Sequence, residues 1–169
     1  MAKNVILQPP EIVKLDSEDK VIFLAGPIQG APDWQATAAA MIHDADSSIV
    51  IASPRKEYAE GDFVYEKQVD WETHYLARAA QNGVILFWLA TQTVETPGRS
   101  YAQTTRFELG EWKSKHEAGE AKMTVGIEEQ FGNKRYISRR FAQDCPEVPI
   151  LSSLQATCAS AVKLAQNDN

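Results

Sequence analysis

The run GVILFWLA, residues 83–90, decides the fold. A strand with one wet face alternates apolar and polar side chains. This run does not alternate, so it reads as a strand buried on both faces, as in a parallel sheet covered by helices on each side. Four shorter runs share its character: KVIFLAG (20–26), SIVIASP (48–54), KMTVGI (122–127) and VPILSS (148–153). Helical stretches lie between and after them, at 32–45, 67–81, 105–118, 134–143 and 153–165. Pro32 and Asp33 open the first, and Ser152 or Ser153 opens the last. Strand and helix in alternation predict an α/β domain, with a five-stranded, mainly parallel sheet between two helical layers and right-handed crossovers.

Such a sheet binds ligands beyond the carboxyl ends of its strands. Three connections gather there: AGPIQGAPDW after the first strand, SPRKEYAEGDF after the second, and ATQTVETPGRSYAQTTRFE after the third. The last is long and rich in turn residues, as functional loops often are. Residues 1–18 read as an N-terminal arm, and 19–169 as a single domain.

With 169 residues, the chain suffices for one sizeable core. Its formal charge of −6 argues against a nucleic-acid polymer or an anionic membrane as partner, because both select basic surfaces. The longest apolar runs are too short to span a bilayer. Two cysteines, Cys145 and Cys158, form no framework, which fits a reducing cytoplasm. The first twenty residues lack the apolar core of a signal peptide.

Within the loops, GPIQG (26–30) is neither a Walker loop nor a dinucleotide fingerprint, since the glycine spacing is wrong and Pro27 removes an N–H. It is either a tight turn or a floor on which a ligand approaches the backbone. His43, His74 and His116 lie on different helices, so no metal site is expected. Asp70 and His74 stand four residues apart, which suits a side-chain hydrogen bond.

TTRFELGEW (104–112) reads as a helix start, with Thr105 as cap and Glu108 at the reciprocal capping-box position. Asp70 reads as a first-turn acid of the preceding helix. Both helices begin on the loop side of the sheet, so the two acids can face one pocket. Helix N-termini favour ionised carboxylates. One carboxylate can attack an anomeric carbon while a second moves a proton. The plain alternative for each is a capping or solvated acid. Trp34, Trp71, Trp88 and Trp112 are either core packing or stacking walls for a planar ligand.

VIFLAGPIQGAPDWQ, QVDWETHYL, GVILFWL and TTRFELGEW, in this order, resemble the nucleoside 2-deoxyribosyltransferase family, in particular members with a T-R-F-E-L-G helix start. The resemblance runs from about Val21 to the last helix. It implies a flavodoxin-like, Rossmann-like three-layer sandwich and a cofactor-free, metal-free exchange. Glu108 would be the nucleophile at C1′ of a 2′-deoxynucleoside, leaving a covalent deoxyribosyl-enzyme. Asp70 would protonate the leaving base. Gly26, Pro27, Ile28 and Gln29 would lie under sugar and base. Arg55 or Glu57 would touch the base edge, and Trp71 and Trp88 would wall it. The loop before Glu108 lacks the aspartate of many relatives, and Glu95, Tyr101 or Thr105 would replace it. Asn133 of a neighbouring subunit would complete the site, so a homo-oligomer with shared sites is implied. The expected substrates are 2′-deoxynucleosides and free nucleobases. Two further readings stand beside this one: an N-glycosidase of nucleoside 5′-monophosphates on the same scaffold, and a non-enzymatic flavodoxin-like binding module.

Overall fold

The computed structural model describes residues 4–167. Its sheet has six parallel strands: β1 (Ile6–Leu7), β2 (Val21–Ala25), β3 (Val50–Ala52), β4 (Gly83–Leu89), β5 (Met123–Ile127) and β6 (Ile150–Leu151). Their spatial order is β1-β3-β2-β4-β5-β6. Five helices complete the chain: α1 (Trp34–Ala45), α2 (Tyr65–Gln81), α3 (Gln103–Glu117), α4 (Lys134–Asp144) and α5 (Leu154–Gln166).

The doubly buried strands divide their side chains strictly. Val21, Phe23 and Ala25 of β2, with Ile85, Phe87 and Leu89 of β4, face a core closed by Trp71, Tyr75, Leu109, Trp112 and Phe141 from α2, α3 and α4. Ile22 and Leu24, with Val84, Leu86 and Trp88, face the other core, closed by α1 and α5 through Trp34, Ile42, Cys158 and Val162. Pairing of Ile22 with Val84 and Phe23 with Ile85 keeps the two sets in register across the sheet. The result is the three-layer, flavodoxin-like α/β architecture.

Three expectations are corrected. The sheet has six strands rather than five, because Ile6–Leu7 of the N-terminal arm pairs with Ile51–Ala52 of β3. Two residues were too few to register as a strand in the sequence. Helix α3 begins at Gln103, behind Ala102 in a left-handed conformation (φ 58°), so Thr105 is already its third residue and no capping box forms. Helix α2 begins at Tyr65, so Asp70 lies in its second turn. The expected Ser153 cap of α5 is present, its hydroxyl accepting from the Ala156 N–H at 3.2 Å.

From β2 the chain winds to β3 on one side. From β4 it continues to β5 and β6 on the other. The crevice between the carboxyl ends of β2 and β4 is therefore the topological switch point, where open α/β sheets hold their ligands.

Candidate active site

A cavity of about 470 Å³ opens at that switch point. Its floor is Gly26, Pro27, Ile28 and Gln29, the turn that leaves β2. This turn is built by close packing. A Cβ on Gly26 would lie 2.3 Å from the Trp88 carbonyl oxygen and 2.6 Å from the Trp34 ring, so only glycine fits. Trp34 also donates its indole N–H to the Pro27 carbonyl at 3.0 Å. From outside, the Arg55 guanidinium donates to the carbonyls of Pro32 (2.7 Å), Ala31 (3.0 Å) and Ile28 (3.3 Å), and to Gln35 Oε1 (2.9 Å).

The connection from Thr91 to Ala102 forms one wall. Thr93 and Val94 donate their N–H groups to the Gly30 carbonyl at 2.8 and 3.2 Å, and Arg99 donates to Gln29 Oε1 at 2.6 Å. Tyr101 presents its ring to the cavity while its hydroxyl donates to the Ala90 carbonyl at 2.8 Å. Burial pushes that phenol up to about 12, so it stays neutral. Phe63, Tyr65 and Val69 add apolar surface at the opposite rim.

Two carboxyl groups line the cavity: Glu108 on α3 and Glu72 on α2. Burial, then the charges of Glu72 and Glu111, push Glu108 up to about 8. Burial also raises Glu72, and a hydrogen bond donated by Gln68 Nε2 at 2.8 Å works the other way. Both acids lie beyond the first turns of their helices, out of reach of the positive helix end, and desolvation prevails. Two half-buried acids in one cleft, both raised by desolvation and one of them also by the charge of the other, are the usual mark of an acid–base site.

Residues 19–131 match a family model described as nucleoside 2-deoxyribosyltransferase like. The chain belongs to that family. No curated protein matches it.

Measured against the family expectation, the cavity brings together Glu108, Thr105, Tyr101 and the Gly26–Gln29 turn. It does not include Asp70, which is exposed and outside the lining. Glu72, missed in the sequence, stands there instead. The reason is helical geometry: Trp71 is wholly buried between Phe23 and Tyr75, and residues 70 and 72 flank it on opposite sides. The spacing of Gln68 and Glu72, four apart beside the buried Trp71–Tyr75 stripe, was the available signal.

Trp71 is core, its indole N–H donating to the Glu11 carbonyl at 3.2 Å. Trp88 points into the α1–α5 layer, against Gly126, and cannot wall the cavity. Arg55 is a clamp on the turn, with no edge toward the cavity, and Glu57 is exposed. Glu95, offered as a stand-in for the loop aspartate, is absent from the lining, whereas Arg99 and Ser100 belong to it. Asn133 starts α4 in a left-handed conformation and lines a separate depression with Phe131 and Arg135. His74 packs edge-on against Tyr75, and no hydrogen bond joins it to Asp70. Cys145 and Cys158 are free and buried in different layers. Among the described residues no cluster of histidine, cysteine and acid has the makings of a metal site. No described helix is long and apolar enough to cross a membrane.

Proposed function

We propose that the chain moves 2-deoxyribose between nucleobases by double displacement, with Glu108 as nucleophile and Glu72 as the proton carrier. The observation that supports this is the pair of half-buried carboxyl groups, one on each of two neighbouring helices, facing one cavity of nucleoside size at the switch point. In the first step an ionised Glu108 oxygen bonds to C1′ as the C1′–N bond breaks. The electron pair passes to the base, which takes a proton from Glu72 at a ring nitrogen. A deoxyribosyl ester of Glu108 remains. In the second step an incoming base gives a proton to Glu72, bonds to C1′ and displaces Glu108. The apolar rim of Phe63, Tyr65 and Val69 limits water, which would otherwise compete with the second base. Two displacements at one carbon retain its configuration. A site completed by Asn133 of a second copy, in a cytoplasmic homo-oligomer acting in nucleoside salvage, belongs to the same proposal.

The test is mass spectrometry of the protein mixed with a 2′-deoxynucleoside and no acceptor base. A deoxyribosyl adduct on the peptide holding Glu108 is expected. Glu108→Ala should stay folded and lose both the adduct and the exchange. Undiminished exchange by that variant would remove Glu108 as nucleophile.

One observation favours the second reading, a hydrolase of nucleoside 5′-monophosphates. The first residues of α3 line the cavity with no side-chain cap, and Arg99 and Ser100 stand beside them. Free N–H groups with a guanidinium suit a phosphate. Supplying a deoxynucleoside and its 5′-monophosphate, each with and without a second base, separates the readings. Transfer needs the second base, and hydrolysis of the monophosphate does not.

A further inference from the structure

Gln68 lies one helical turn before Glu72, and its side-chain amide is fully committed. Nε2 donates to Glu72 Oε1 at 2.8 Å and to the Pro54 carbonyl at 3.0 Å. Oε1 accepts from the Tyr58 hydroxyl at 3.0 Å. The Pro54 carbonyl can only accept, so turning the amide over would set oxygen against oxygen. The amide therefore shows Glu72 an N–H and never an acceptor. An N–H rewards the ionised carboxylate and gives nothing to a carboxyl O–H.

We propose that Gln68 is a positioning residue that decides which of the two cavity carboxyl groups ionises first. In the empty site Glu72 is the ionised member and Glu108 the protonated one. This deepens the transfer reading and rests on it for its consequence. The reacting arrangement is the reverse, with Glu108 ionised for attack and Glu72 protonated to release the base. Substrate binding must then move one proton from Glu108 to Glu72, and the total stays at one. The empty protein thereby keeps its nucleophile capped by a proton until a base enters to engage Glu72.

The other groups around the pair are few. Tyr58 adjoins Gln68, while Tyr65, Tyr101 and Arg99 line the cavity, and Glu111 acts on Glu108 from one turn further along α3. Of the charged ones, Arg99 is engaged by Gln29, and Glu111 by Lys115 at 2.6 Å. Gln68 is the group that bonds to one carboxylate of the pair and not to the other.

The experiment is carboxyl 13C NMR of the full chain across pH, with the two resonances assigned through Glu72→Gln and Glu108→Gln. Glu72 is expected to titrate below Glu108. In Gln68→Met, which keeps length and removes both donors, the Glu72 midpoint should rise by about one unit, the share of one donated hydrogen bond. The gap between the two groups should close. Base-exchange kcat/KM should then move its acid limb to higher pH, a shift that mere loosening of α2 would not give. The inference is overturned if Glu108 titrates first in the unaltered chain, which needs no variant to fold. It is equally overturned if the Glu72 midpoint stays put in Gln68→Met while exchange continues. Midpoints that move as stated in a chain that exchanges no base support the role of Gln68 and overturn the transfer reading instead.

Discussion

The chemistry of this site turns on single residues whose charges are coupled. Glu108 reaches about 8 because it is buried first and because Glu72 is charged nearby. Two interacting acids titrate as a pair, so kcat/KM should trace a bell. Below the bell both acids are protonated and no nucleophile exists. Above it the last proton leaves, near pH 8, and nothing remains to release the base. Glu72→Gln separates the roles. It removes a neighbouring negative charge, so the Glu108 midpoint falls below its present value. Exchange should drop by about 100-fold to 10,000-fold, the usual worth of a positioned acid. What remains should rise with pH to a plateau and show no alkaline fall. A bell that survives in Glu72→Gln would show that another group carries the proton. Rate-against-pH measurements with one deoxynucleoside and one acceptor are enough.

At the level of elements, the sequence revealed the pattern and concealed the boundaries. GVILFWLA and its shorter companions gave the strands, since buried parallel strands announce themselves by unbroken apolar runs. The GPIQG turn and Glu108 line the cavity for the same reason: both lie at the carboxyl edge, where open α/β sheets hold their ligands. The helix starts were not legible. Nothing in Ala102 announces a left-handed residue, and Val64 before α2 offers no capping side chain. Those two silent starts moved Thr105 inside α3 and placed Asp70 in a second turn. Which neighbour of Trp71 faces the cavity depended on the rotation of α2, which only packing fixes. Trp88 was misplaced by strand alternation, where a shift of one residue changes layer. At Gly30 the joint between two cavity walls makes a prediction. Its φ is +81°, and an added Cβ would lie 2.6 Å from the Val94 carbonyl oxygen. Gly30→Ala should therefore cost about 1–3 kcal/mol in a urea titration. It should also push the Thr91–Ala102 wall away from Gln29. That change should raise KM more than it lowers kcat, because the carboxyl pair stands on other elements. An unchanged KM with a lowered kcat would place the wall in the chemistry itself.

Across the whole molecule, the helix that carries Glu72 is held from two sides. The sheet holds one side through Trp71 and Tyr75, both wholly buried. The N-terminal arm holds the other. The Tyr75 hydroxyl accepts from the Val13 N–H at 2.9 Å and donates to the Val13 carbonyl at 3.3 Å. Trp71 donates to Glu11, and Arg78 to the carbonyls of Asp16 (2.9 Å) and Asp19 (2.7 Å). With β1 fixed to β3 at one end, residues 6–19 form a strap that leads from the sheet edge across α2. The strap therefore sets the position of an acid it never touches. Tyr75→Phe keeps the ring in the core and leaves both Val13 groups without their partner. Global stability should fall by about 0.5–1.5 kcal/mol, the net worth of hydrogen bonds whose exposed Val13 partner water can serve instead. Amide exchange at Val13 should quicken far more than exchange in β4, since a local opening costs less than unfolding. The carboxyl pair gives the functional readout: a loosened α2 admits water to Glu72 and lowers the proton affinities of both acids. The alkaline limb of kcat/KM should then shift to lower pH in Tyr75→Phe. A limb that stays near pH 8 while Val13 exchanges freely would show that the sheet alone holds α2 in place.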